Sequence, residues 1–308
     1  MKSTKRWGGF RSVLCPIDFS EDSQRALQYA VAIAMRAKAV LRVLYVNDPL
    51  LIAAAATALH DRQLARRSAR ELQQFVNETV AATSRNQLRL TSRVSIGQPS
   101  DQILKAADGY ETDLIVVGTR GLTGAGRLFM GSTTLSVLQR ATVPVLAIPR
   151  GGQSPAAPVS RAWPGERVMA AVELDDGSAS EIGSVARIAQ WFGSSLVLAH
   201  VVSAIAAPAW LSADMSAHER IRLAQAQRQM AALAAVAQRH VKTEVQVVCG
   251  SIADEISALA AAERTELLIT ALHDRRAWFG AKRGSISYHV LSHAVTPVLA
   301  CPPQWRPR

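Results

Sequence analysis

Gly118, Gly121 and Gly131 are separated by two and nine residues, and the last is followed by Ser132, Thr133 and Thr134. Glycine lets a backbone take positive φ and come close to an anion, and successive N–H groups then form a concave anion nest. An apolar run, Leu114 to Val117, leads into the first glycine, and a helical pattern, Thr133 to Arg140, follows the last. A strand, a glycine-punctuated loop and a helix start suit phosphate, because the helix presents unpaired amides and its positive dipole end. Arg120 and Arg127 in the loop can offset the charge of the anion. No Gly-Lys-Ser/Thr is present, and Gly124-x-Gly126 lacks the third glycine of a dinucleotide fingerprint. His289 and His293 have the i,i+4 spacing of a zinc pair, but no third ligand accompanies them and Ser136 and Arg140 stand at the same places earlier in the chain. They read as helix surface.

The elements that position this loop follow from periodicity. Ser12 to Asp18 reads as a short buried strand, and Ser20 to Ser23 offer N-caps for a helix from about Gln24 to Arg36. Val40 to Val46 is a second strand, Ala53 to Ser84 a long helix-prone stretch, and Leu88 to Ile96 an alternating strand ending at Gly97. A helix over Ser100 to Ala107 precedes the loop strand, and Val143 to Ile148, bracketed by Pro144 and Pro149, closes the unit. Strands alternating with helices predict a doubly wound parallel sheet.

The whole pattern then recurs. Residues 151–164, rich in Gly, Pro, Ala and Ser, read as a linker between a first domain, 1–150, and a second, 165–308. Ile182, Ala186 and Ala189 repeat Leu27, Val31 and Ala34 at an offset of 155, and Leu267 to Thr270 repeat Leu114 to Val117 at 153. The copies differ where chemistry is expected. At an offset of 153, Gly131-Ser132 persist as Gly284-Ser285, whereas Gly118 becomes Ala271 and Gly121 becomes Asp274. Asp18 becomes the longer acid Glu173. The first repeat therefore keeps a complete site and the second reads as degenerate, although Arg275, Arg276, Lys282 and Arg283 keep its loop basic.

Composition bounds the rest. A chain of 308 residues, 49% hydrophobic and 19% charged, predicts a globular protein of two domains. No signal peptide is evident, and Leu50 to Leu59 falls far short of the roughly 20 residues that cross a bilayer. Cys15, Cys249 and Cys301 have neither metal spacing nor even number, which fits a reducing cytoplasm. The net charge of +11 is concentrated before residue 156, with 20 Lys/Arg against 11 Asp/Glu there. Arg62, Arg66, Arg67 and Arg70 lie among Asp61 and Glu71, so an exposed arginine-rich helix explains it better than a nucleic-acid surface.

Gly118, Gly121, Gly131 and Ser132, with Pro16 to Asp18, the Gly97-Gln98-Pro99 turn and the duplication, resemble the universal stress protein family in its tandem form. The resemblance covers nearly the whole chain. It implies two Rossmann-like domains of the adenine nucleotide alpha hydrolase-like type, packed as a pseudo-dimer. The proline-flanked closing strands, Val143 to Ile148 and Val298 to Cys301, are expected to pair two repeats, within one chain or between chains, since their edges are otherwise left open. The resemblance also implies an ATP site in the first repeat. Asp18 matches the acid near the adenosine and Val46 the strand end whose backbone reads the adenine edge. Val117, Gly118, Arg120 and Gly121 match the strand end and phosphate loop, and Gly131, Ser132, Thr133 and Thr134 the helix start that holds the phosphates. ATP-bound members usually carry magnesium, for which no protein ligand is legible here.

With no catalytic base, nucleophile or metal cluster in view, the sequence points to a non-enzymatic ATP-binding stress or signalling protein. Its conformation or choice of partner would depend on nucleotide, and a homodimer and an unknown protein partner are further expectations. A slow ATPase is the rival enzyme reading, and a polyanion- or DNA-binding module rests only on the basic first half. Gly118→Asp is expected to abolish ATP binding and leave the fold intact.

Overall fold

Parallel strands covered on both faces read as continuous apolar runs, and β1 (Ser12–Ile17) is such a strand, buried along nearly its whole length. A computed structural model of the chain describes residues 7–58, 64–119, 130–150, 162–174, 178–204, 216–271, 286–303 and 305–307. Arg120, Gly121 and Arg127, most of the linker 151–164, and Asp274 to Ser285 of the second loop lie outside these.

In the first unit, Gly9–Trp163, β1 is followed by α1 (Glu21–Ala37), which starts three residues ahead of the expected Gln24. Ser20 caps it by accepting the Ser23 N–H, and Glu21 and Asp22 complement the helix dipole. Lys38, at φ 53°, ends it. Its apolar face, including Leu27, Ala30 and Ile33, is buried against β1 and the loop strand. β2 (Val40–Asn47) follows. Along the stretch expected as one long helix lie α2 (Pro49–Ala58), α3 (Leu64–Thr79) and the short α4 (Ala82–Arg85), the last two separated by non-helical Val80 and Ala81. β3 (Arg89–Ile96) alternates between exposed and covered positions. Gly97, at φ 148°, turns the chain so tightly that a Cβ there would lie 2.6 Å from the Gln102 side chain. Gln98 then caps α5 (Pro99–Gly109), with proline at its start. β4 (Leu114–Gly118), α6 (Ser132–Arg140) and β5 (Val145–Ile148) complete the unit. Its strands run parallel in the order β3-β2-β1-β4-β5.

The second unit begins at Pro164 and includes Trp7 and Gly8 from the start of the chain. It contains β6 (Arg167–Ala171), α7 (Ser178–Phe192), β7 (Ser195–Ser203), α8 (Ser216–Ala237), β8 (Thr243–Gly250), α9 (Ile252–Ala262), β9 (Leu268–Ala271), α10 (Ile286–His293) and β10 (Val298–Cys301). The parallel order is β8-β7-β6-β9-β10, the same as in the first unit. Trp7 is buried here, with its ring 5.6 Å from that of Trp191 and 6.0 Å from that of Trp305. Trp163, just ahead of the second repeat, is buried in the first unit against Tyr29 at 5.0 Å.

Cys15 and Cys301 are packed as core residues, and burial raises both thiols far above their ordinary range, while Cys249 is exposed. All three are free. Among the described residues no helix is long and apolar enough to cross a membrane.

Candidate functional site

In an open parallel sheet, ligands bind outside the carboxyl ends of the strands where the order reverses. In the first unit that point lies between β1 and β4. Asp18 follows β1, Val46 lies near the end of β2, Val117 and Gly118 end β4, and Gly131 to Thr134 begin α6. All eight expected residues within the described regions thus come from the carboxyl side of the sheet or from the helix start beside it.

The α6 end is built to leave donors open. Gly131 is its N-cap, extended at φ −60° and ψ 143°, and has no side chain to offer the first turn. Among the described residues no group takes the amides of Ser132 and Thr133, so the positive end of the helix is uncompensated there. The base of the loop is clamped on both sides. Gly131 N–H donates to the Thr119 carbonyl at 2.8 Å, and Thr119 N–H donates to Ile148 at 2.9 Å. Ser132 is exposed, whereas Thr134 is buried and its hydroxyl donates to the Gly118 carbonyl at 2.8 Å. That proton is engaged in fixing helix to strand, leaving only the backbone N–H of Thr134 to meet an anion.

Gly118 also has a packing reason. A Cβ at this position would lie 3.0 Å from the carbonyl carbon and oxygen of Asp22 in the first turn of α1. A side chain at position 118, as in Gly118→Asp, therefore presses on the first turn of α1 as well as on any anion in the loop. In the second repeat, Ala271 replaces Gly118 and Gly177 stands where Asp22 does, at offsets of 153 and 155.

The adenosine side is defined by strand register. β1 pairs with β2 only as far as Ile17↔Tyr45, while β2 continues beside β3 through Val46↔Ser95 and Asn47↔Ile96. Val46 therefore overhangs the end of β1, with its β1-facing edge beyond the last pairing. Asp18 is half-buried beside this crevice and folds back on its own turn: its Oδ1 accepts the Ser20 N–H at 3.1 Å and the Ser20 hydroxyl at 2.5 Å. Phe19 packs on Tyr45 at 4.5 Å and on Phe75 at 5.6 Å, an aromatic cluster that the sequence reading did not single out. Its signal was diffuse, since the three residues lie on different elements. Burial, then the charge of Asp18, raises the Tyr45 phenol above its ordinary pKa. Asp113, at the opposite end of β4, lies outside the site. Its carboxylate accepts the Arg11 and Ser12 amides at 2.8 and 3.0 Å and pins β1 to β4.

The second unit repeats the frame with a different charge arrangement. Ser287, the counterpart of Thr134, donates its hydroxyl to the Ala271 carbonyl at 2.7 Å. Its backbone N–H, however, donates to Glu173 Oε1 at 3.0 Å. The longer acid reaches the helix start that Asp18 leaves open, so the first turn of α10 already holds an anion of its own.

The family model for the universal stress protein family matches residues 9–149 and 165–302. A universal stress protein of Mycolicibacterium smegmatis is 26% identical over 305 residues, covering 95% of this chain and 97% of that protein. One from Thermus aquaticus, a "universal stress protein in QAH/OAS sulfhydrylase 3'region", is 34% identical over 139 residues, 45% of this chain and 98% of that protein. Among solved structures, a universal stress protein from Archaeoglobus fulgidus aligns with a TM-score of 0.65 at 19% identity, covering 94% of this chain and 98% of that one. That likeness concerns the fold.

Proposed function

Because the chain belongs to the universal stress protein family, we propose that it is a nucleotide-dependent stress-response module that binds one ATP per chain, in the first unit, and acts through conformation or partner choice. The observation that carries this reading is the contrast at the two helix starts. The amides of Ser132, Thr133 and Thr134 are open among the described residues, whereas the amide of Ser287, the counterpart of Thr134, is taken by Glu173. Anions favour a helix N-terminus of the first kind. In this reading the phosphates lie on the Gly131–Thr134 backbone, with Arg120 and Gly121 completing the loop. The adenosine occupies the crevice between Asp18 and the overhanging Val46. Magnesium is proposed to arrive on the triphosphate's own oxygens. The cytoplasm is the proposed setting, and a homodimer or an unidentified protein the proposed partner.

Mass spectrometry of nucleotide retained through purification, followed by calorimetric titration with ATP, tests this. One ATP per chain is expected. Ser132→Glu, at an exposed position, is expected to weaken ATP by about tenfold or more without changing the melting temperature. Unchanged affinity in that variant would move the phosphate site elsewhere. Steady ADP release above background would add slow turnover to the function.

A further inference from the structure

β3 is the outer strand of the first unit, paired with β2 on one side and with no described strand on the other. Arg89, Thr91 and Arg93 are exposed along its first half, and Arg42 of β2 lies beside Thr91 in the register. We propose that this edge docks an extended acidic segment of a protein partner, which adds to the sheet alongside β3 and sets carboxylates against Arg89 and Arg93. The arginines lie away from the carboxyl ends of the strands, so the proposal does not rest on the nucleotide reading.

In the second unit the same positions neutralise one another. At an offset of 155, Ser12 and Arg42 become Arg167 and Val197; at 153, Arg89, Thr91, Arg93 and Tyr110 become Lys242, Glu244, Gln246 and Glu263. The register agrees, since Arg42 pairs with Thr91 and Val197 with Glu244. Arg167 Nη2–H donates to both carboxylate oxygens of Glu244, at 3.2 and 3.0 Å, and Nη1 is ion-paired to Glu263. Lys242 lies 3.4 Å from Glu244, and Gln246 donates to Glu263 at 3.1 Å. Two cations thus meet two carboxylates. In the first unit the set holds three arginines and no acid, and among the described residues none of the three forms an ion pair. A partner must bring the missing carboxylates.

Two of the three arginines are positioned in advance. Arg42 Nη1–H donates to the Ser12 hydroxyl at 2.9 Å, and its guanidinium lies 4.7 Å from the centroid of the Tyr110 ring. Arg93 Nη1–H donates to the Tyr110 hydroxyl at 2.9 Å, which leaves its other N–H donors for a carboxylate. Arg89, Thr91 and Arg93 share one face of β3, at intervals of about 6.6 Å. Acidic side chains at every second residue of an added strand repeat that interval. The partner's backbone would pair with the N–H and C=O groups on the outer side of β3. A nucleic acid fits less well. It brings no peptide backbone to the edge, and Tyr110, the ring at hand for stacking a base, is half-buried and already engaged by Arg42.

Fluorescence anisotropy of a labelled peptide of alternating glutamate and threonine, titrated with the full chain at low salt, tests the proposal. Saturable binding is expected, weakened about tenfold or more by the double variant Arg89→Glu/Arg93→Glu. N-methylation of the peptide backbone at alternate residues is expected to weaken it similarly. Arg89→Gln, at an exposed position, is expected to weaken it about threefold with the melting temperature unchanged, which separates lost charge from lost fold. Absent binding, or affinity unmoved by Arg89→Gln, by the double variant or by N-methylation, overturns the proposal. A peptide with the same glutamates gathered in one block that binds equally well overturns it too. Oligothymidylate that binds more tightly than the peptide would assign the arginines to nucleic acid instead. Self-association of the unliganded chain in ultracentrifugation, abolished by the double variant, would assign the edge to a second copy and overturn the proposal. ATP affinity is expected to be unchanged in both variants, so failure here leaves the first-unit nucleotide reading standing, and absence of ATP binding leaves this edge standing.

Discussion

Thr134 donates its hydroxyl to the carbonyl of Gly118 at 2.8 Å, and Ser287 repeats that bond to Ala271 at 2.7 Å. The bond ties a helix start to a strand end in both units. Thr134→Val should leave the Gly118 carbonyl unsatisfied and destabilise the first unit by about 1–3 kcal/mol. Thr134→Ser should retain both stability and ATP affinity. Chemical denaturation of the two variants separates a structural hydroxyl from a phosphate ligand, because only the latter would weaken ATP in proportion to its loss.

Gly118→Ala forces a Cβ to 3.0 Å from the Asp22 backbone, so overpacking should cost about 1–3 kcal/mol. A lowered first-unit melting temperature is the expected reading. An unchanged melt would mean that α1 shifts freely away from β4.

The length of the acid after the first strand should decide which helix start is open. Asp18→Glu places the second repeat's side chain in the first, and its longer arm should cap α6 and weaken ATP by about tenfold. Asp18→Asn lacks the charge and the reach and should not produce the cap. Titration calorimetry on the pair distinguishes capping from loss of an adenosine contact, which both variants would share.

Burial lowers the His200 pKa, against the opposing effects of its bond to Val172 and the charge of Glu173. Because the folded value lies below the unfolded one, about 6.5, the unfolded chain binds the proton first as pH falls. The stability associated with His200 is therefore complete above the unfolded value, declines as pH drops below it, and levels off below the folded value. His200→Gln should flatten that part of the profile of second-unit stability between pH 7.5 and 5. A variant profile parallel to wild type would show that another group titrates there.

Trp7 is buried on Trp191 and Trp305. Trp7→Ala should destabilise the second unit by about 3 kcal/mol or more, although the substitution lies at the other end of the chain. Unfolding followed by a probe in each unit would place the loss.

Periodicity carried most of the fold. β1 and β4 are nearly continuous apolar runs because they are buried on both faces, β2 is interrupted by half-buried Arg42, and β3 alternates because one face is exposed. The start of α1 was misplaced by three residues because four consecutive polar residues can each cap, and only geometry selects Ser20. The site was legible in residue type but less so in role. Gly118 and Thr134 look like phosphate ligands in sequence, yet each also has a packing or tethering task, Gly118 against Asp22, 96 residues away, and Thr134 on the strand end, 16 residues away. The Glu173–Ser287 contact spans 114 residues, and no local pattern announces it.

The tryptophans do not follow the boundaries of the repeats. Trp7 precedes the first repeat and is buried in the second unit, while Trp163 precedes the second repeat and is buried in the first. A gene fragment cut at the repeat boundary would deliver a half deprived of its own aromatic plug and burdened with its neighbour's. The two copies have diverged in chemistry, as Asp18 and Glu173 show, while each unit is plugged by a tryptophan that precedes the other repeat in the sequence.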